Sequence, residues 1–218
     1  YPFKSQSDTE VVLAAFECWG QDALNRIEGM FAIAVWDVQE QRMLLARDGQ
    51  GIKPLYFSTV DGDLVFGSEI AAIFAAGKSR QVDESSLEMF LDMRFVPSSR
   101  TLFRGVQKLA PGHFIWVNKL GVACEPEPFC FQAPMIDKRA VESNKIDLLS
   151  QLFLRAVDRQ LIADVPVGVL LSGGIDSAAV ASAAIQSGHS VSTFCVGYTE
   201  DHPANEFEEA RQTAEYLG

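Results

Sequence analysis

The tightest constraint on this chain lies in residues 167–186. A short apolar run, Val167 to Leu171, meets Ser172-Gly173-Gly174-Ile175-Asp176-Ser177, and mostly small or apolar residues continue to Gln186. Such a run bounded by glycines predicts a buried strand, and Asp176 to Gln186 predicts a helix. Strand, glycine loop and helix in direct succession belong to a parallel sheet, with the loop at the carboxyl edge of the strands. The pattern then repeats, with a strand over Val191 to Val196 and a helix over Ala204 to Leu217. A long amphipathic helix precedes it, marked by Ile146, Leu149, Leu152, Phe153, Ala156, Val157 and Leu161 on one face.

The loop has a chemical as well as a topological reading. Its glycines let main-chain N–H groups approach a ligand closely, and the helix after it adds unpaired amides and a partial positive charge. A phosphate or pyrophosphate is the matching guest, with Ser172 and Ser177 supplying hydroxyls. Asp176 would repel that anion unless a cation stood between them, which predicts Mg²⁺. The bland alternative is a glycine turn in which Asp176 merely caps the helix.

Upstream, Ser7-Asp8-Thr9-Glu10 has the spacing of a capping box, and Val11, Val12, Ala15, Phe16 and Trp19 continue at helical spacing to Gly20. Four short apolar segments then predict strands, in GMFAIAVWD, RMLLARD, KPLYFST and GDLVFGS, the last two joined by the hairpin dipeptide Asp61-Gly62. Both alternating sets of the first are apolar, so both of its faces are expected to be covered, as in stacked sheets. Ser68 to Ala76 and Asp83 to Leu91 predict helices, and HFIWVN a strand after Ala110-Pro111-Gly112. Pro126, Pro128 and Pro134 interrupt a stretch without apolar periodicity, which marks residues 125–144 as a linker.

Composition removes several classes. The chain has 218 residues, 48% hydrophobic and 22% charged, so its core material is ample for two modest domains. No apolar run exceeds seven residues, Met30 to Trp36 being one such, against the roughly 18 that span a bilayer. A net charge of −11 argues against a nucleic-acid partner, which needs clustered Lys and Arg. Four cysteines without CxxC or framework spacing, and no signal peptide at Tyr1, fit a reducing, cytoplasmic setting. His113, His189 and His202 lack zinc-ligand spacing and read as turn or surface residues. Gly77-Lys78-Ser79 imitates the end of a Walker loop, but Ala72 stands where its first glycine belongs, so a capped helix end is expected.

The run from Asp164 to Ser177, DVPVGVLLSGGIDS, resembles the signature of glutamine-hydrolysing asparagine synthetases and their amidotransferase relatives. Ser7-Asp8-Thr9-Glu10, Gly29-Met30-Phe31-Ala32, Gly51-Ile52-Lys53-Pro54-Leu55-Tyr56, Phe66-Gly67-Ser68-Glu69 and Pro111-Gly112-His113 resemble the same family, in its order. The resemblance implies two domains, α+β and then α/β. Residues 1–124 would be part of an N-terminal-nucleophile hydrolase sandwich carrying a glutaminase, 125–144 a linker, and 145–218 the start of a parallel-sheet ATP-pyrophosphatase (PP-loop) synthetase domain.

It also implies two half-reactions. A cysteine heading the mature chain releases ammonia from glutamine; ATP activates aspartate as an adenylate, which ammonia then attacks. By motif match, Ser172, Gly173, Gly174, Asp176 and Ser177 would hold the pyrophosphate end of ATP, with Asp176 also on Mg²⁺. Leu170 and Val196 would meet the adenine through their backbone, Asp8 would accept the glutamine α-ammonium, and Met30 resembles a residue near the ammonia passage.

Departures from the family are expected to matter. Tyr1 stands where the nucleophile is expected; Cys18 falls in a helix, Cys195 in a strand, Cys124 just before the linker and Cys130 near its start, so none matches it. The chain therefore reads as an interior fragment, inactive by itself, whose full-length form is compatible with a homodimer. Gly49 replaces a usual second arginine, which puts one side-chain contact in doubt. Other readings are an amidotransferase for another carboxylate, a tRNA-modifying ATP pyrophosphatase, and a non-catalytic nucleotide-binding relative.

Overall fold

The computed structural model describes residues 1–97, 99–121, 123–129, 145–199 and 202–218. It divides into two compact units, Tyr1–Ala133 and Pro134–Gly218. No helix among the described residues is long and apolar enough to cross a membrane.

The first unit is layered. Helix α1 (Asp8–Trp19) ends at Gly20, whose φ of 56° permits the turn into a 3-10 segment, Gly20–Asn25. One sheet then takes β1 (Ala32–Asp37), β2 (Arg42–Arg47), β6 (His113–Val117) and β7 (Glu127–Pro128), in the order β1-β2-β6-β7. A second takes β3 (Tyr56–Val60), β4 (Asp63–Gly67) and β5 (Gln107–Lys108), in the order β4-β3-β5. All pairings in both sheets are antiparallel. The four strands expected from the apolar segments are present. Asp61 and Gly62, both at positive φ, turn β3 into β4 with Val60 opposite Asp63.

Alternation along β2 and β6 builds two cores. Leu44, Ala46 and Phe114 face Leu24, Phe16 and Phe129 on one side. Leu45, Ile115 and Val117 face Phe57 of the second sheet, with Leu55 and Leu109 beside its strands, on the other. The double covering expected of β1 is partial and is fuller in β2: Ile33 packs on the first core and Ala32 on the second, but Ala34 and Trp36 farther along the strand are exposed. Residues 127–129, within the stretch read as linker, belong to the first unit. Glu127 pairs with Phe114, Pro128 with His113, and Phe129 is buried in the core.

Helix α2 (Ile70–Ala75) starts two residues later than expected, and its end is the Walker-like sequence: the Gly77 N–H donates to Phe74 O and Gly77 adopts φ 105°. Helix α3 (Glu84–Met93) is capped by Asp83, whose carboxylate accepts from the Ser86 N–H.

The segment Arg47–Lys53 is tied by two charged side chains. Asp48 is 1% exposed and accepts N–H bonds from Phe31, Gln50, Ile52 and Lys53. Burial alone would raise its pKa, but these four donors outweigh it and hold the group below its usual value. The Arg47 guanidinium donates to the carbonyls of Gly51, Lys53 and Leu109. Gly51 has φ 65°, and a Cβ there would lie 2.8 Å from Pro111 Cγ, so the turn requires glycine.

The second unit contains α4 (Lys145–Gln160), β8 (Gly168–Leu170), α5 (Ile175–Gln186), β9 (Ser192–Phe194) and α6 (Phe207–Leu217). Strands β8 and β9 pair in parallel, Val169 opposite Thr193. Val169 and Leu171 pack on Ala181 of α5 and Ala210 of α6; small residues allow close approach of both helices. Helix α6 begins three residues after the expected start at Ala204. Cys195 lies just past β9 rather than in the strand, and Cys130 is outside the described residues.

Candidate functional site

The glycine loop leaves the carboxyl end of β8 and enters α5, as its sequence requires. Gly174 is the N-cap, with no side-chain cap bond, so Asp176 is a first-turn residue and not the cap. Gly173, Gly174, Ile175 and Asp176 are exposed, and Ser172 and Ser177 are half-buried. The first N–H groups of α5 have no intrahelical acceptor, which makes this end an electropositive surface.

Within the loop the polar groups bond to one another. Ser177 Oγ accepts from the Ser172 N–H at 3.1 Å and lies 3.0 Å from Gly174 O, to which it donates. Ser172 Oγ accepts from the Gly174 N–H at 3.2 Å. The Gly173 N–H donates to Glu206 Oε2 at 3.0 Å. The amides of residues 172–174 thus each meet a side-chain oxygen, an acceptor that a phosphate oxygen can replace. Glu206 was not legible in the sequence as a partner of this loop, since nothing local pairs positions so far apart.

The donor set suits Mg²⁺ in one way only. Among the described residues no group of three or more His, Cys, Asp or Glu side chains is arranged to hold a metal ion. Asp176 is a single exposed carboxylate beside two hydroxyls. Mg²⁺ is commonly held by one or two carboxylates together with substrate phosphates and water, so these residues fit an ion that arrives with a nucleotide.

Leu170 ends β8 and Val196 lies two residues past β9; both are strongly exposed, and Leu171 N donates to Phe194 O between them. A groove of about 530 Å³ lies between α5 and α6, lined by Ile175, Ala178, Ser182, Glu209, Thr213 and Tyr216 among others. It reaches Ile175 but not residues 172–174.

Asp8, in the first unit, opens α1 and is exposed, with Ser7 as N-cap. The expected capping box is only half formed. Ser7 Oγ accepts from the Thr9 N–H, but Glu10 reaches past Ser7 to the N–H groups of Lys4 and Ser5. The Ser5 hydroxyl, followed by the Lys4 N–H, holds the Glu10 carboxyl below its usual pKa. The Asp8 carboxylate accepts from Thr9 Oγ1 at 3.4 Å. Met30 is exposed ahead of β1, not in a doubly covered strand. His113 departs from the expected turn or surface role: it opens β6, half-buried, with Nδ1 meeting Pro111 O, whereas His189 pairs with Asp158 and His202 Nδ1 accepts from the Ala204 N–H.

Residues 1–129 match the glutamine amidotransferase domain family, and residues 148–218 match the asparagine synthase family. The glutamine-hydrolysing asparagine synthetase 1 of Bacillus subtilis (strain 168) is 33% identical over 218 residues, covering 100% of this chain and 34% of that protein. A putative glutamine-hydrolysing asparagine synthetase of Mycobacterium bovis is 32% identical over 224 residues, 99% of this chain and 34% of its own length. Amidase chyE of Penicillium rubens is 32% identical over 236 residues, again with 100% and 34% coverage. The chain spans about a third of the length of these curated relatives.

Proposed function

Because the chain belongs to the glutamine amidotransferase domain family, we propose that it is part of an ATP-consuming enzyme that forms an amide with nitrogen taken from glutamine. Aspartate is the proposed acceptor, and asparagine the product. The observation that carries this reading is the loop Ser172–Ser177, which leaves a parallel strand and opens a helix, within a segment that matches the asparagine synthase family.

The proposed roles follow from position. Gly173 and Gly174 N–H and the hydroxyls of Ser172 and Ser177 exchange their present partners for phosphate oxygens of ATP. The backbone at Leu170 and Val196 borders the adenine. Asp176 would hold Mg²⁺, which would supply positive charge beside the phosphates. Asp8 accepts the α-ammonium of glutamine. These are two binding roles in two separate units, joined in chemistry by ammonia. The first unit's layering fits the proposed N-terminal-nucleophile sandwich, and the second fits the opening of an ATP-pyrophosphatase domain.

Mg-ATP titration of the chain by calorimetry tests the nucleotide part, with saturable binding expected and a weaker complex in Asp176→Ala. Pyrophosphate release by the protein carrying this chain, dependent on both glutamine and aspartate, tests the reaction. A second acceptor is favoured by one observation: the Penicillium amidase aligns over the whole of this chain as the synthetases do. Release with another carboxylate, and none with aspartate, would select that reading.

A further inference from the structure

The acceptor on the Gly173 N–H is a carboxylate, Glu206 Oε2, reached across 33 positions of sequence. Its place is fixed by the turn before it. Asn205 Oδ1 accepts from the Tyr198 N–H at 2.7 Å, and Asn205 Nδ2 donates to Tyr198 O at 3.2 Å. Glu206 then precedes the first residue of α6. The missing side chain at Gly173 admits this contact: a Cβ there would lie 3.4 Å from Glu206 Cβ and 2.9 Å from Glu209 Cβ. Both acidic residues therefore stand against Gly173, the residue among 172–174 whose amide is not tied within the loop.

A carboxylate oxygen and a phosphate oxygen compete for one N–H. They also repel each other when close, and that repulsion falls when a cation lies between them. Resting on the nucleotide reading above, we infer that Glu206 is a selectivity residue of the phosphate loop. It holds the Gly173 amide until phosphate displaces it, and it penalises polyphosphate lacking a divalent cation more than polyphosphate carrying one. Neutralising Glu206 removes that discrimination.

The test is ATP binding by the 218-residue chain, with excess Mg²⁺ and separately with EDTA, for wild type, Glu206→Gln and Glu206→Ala. Both variants are expected to bind metal-free ATP about tenfold more tightly than wild type, with a clearly smaller gain for Mg-ATP. Weaker binding, no change, or an equal gain in both conditions overturns the inference while leaving the nucleotide reading intact. If neither wild type nor variant binds ATP in either condition, both fall. The Gly173 amide resonance gives a readout independent of affinity. It should move in ligand-free Glu206→Ala while most of the amide spectrum stays in place; an unmoved Gly173 signal also overturns the inference.

Discussion

The side-chain oxygens of Ser172 and Ser177 lie 2.9 Å apart, joining the end of β8 to the first turn of α5. Ser177 also accepts from the Ser172 N–H, so Ser177→Ala strands a half-buried backbone donor. We expect a loss of about 1 kcal/mol in urea denaturation. Ser172→Ala removes the acceptor of the Gly174 N–H instead. Because the two hydroxyls share one network, the double variant should cost less than the two single losses combined. Additive losses would mean that the serines act independently.

Asp48 is the corresponding anchor of the first unit. Its side chain serves four N–H donors, and its own N–H and C=O bond to Phe31 O and to the Gly112 and Gly51 amides. Asp48→Ala leaves several buried donors without acceptors and should destabilise the unit by about 3 kcal/mol. Asp48→Asn should recover little, because its amide nitrogen would face an N–H group whichever way it is turned. Chemical denaturation of the three proteins decides this, and a neutral Asp48→Asn would remove the charge from the account.

Much of this arrangement was legible in residues. Asp61-Gly62 specifies its hairpin through local backbone preference, and the apolar strand before two glycines specifies β8, the loop and α5. The two-residue strands β5 and β7 were not legible, being too short for alternation; β7 contains Pro128, which usually argues against a strand. The exposure of Ala34 and Trp36 was missed because an apolar pattern says what a strand can bury, not whether a neighbour is present. Glu206 was missed for a similar reason. Its partner is chosen by packing of α6 on β8, and only coordinates report that packing.

Asp83 gives an acid-sensitive cap. The Ser85 hydroxyl, then the Ser86 N–H and the Arg100 guanidinium 3.2 Å away, lower its pKa from 3.8 to about 2. Since the folded value lies below the unfolded one, the stabilisation is fully present above pH 4 and is lost as pH falls from about 4 to 2. Asp48, also held below its usual value, acts in the same direction. Denaturation midpoints measured over that range should fall less steeply for Asp83→Asn than for wild type. An unchanged slope would show that the cap carries no charge-dependent stability.

Gly173 and Gly174 separate fold from ligand. A Cβ on Gly173 would press within 2.9 Å of Glu209 Cβ, so Gly173→Ala must displace the first turn of α6 and should lower stability as well as binding. Gly174 is different: its φ of −85° and ψ of 151° suit alanine, and its Cβ would meet only Ser172 Oγ, at 3.4 Å. Gly174→Ala should therefore keep the wild-type denaturation midpoint within about 0.5 kcal/mol. If phosphate must approach this backbone closely, the same methyl should weaken Mg-ATP by about tenfold or more. Calorimetry beside denaturation reads the two effects separately. Unchanged affinity in a fully stable Gly174→Ala would mean that the nucleotide does not contact the loop at this glycine.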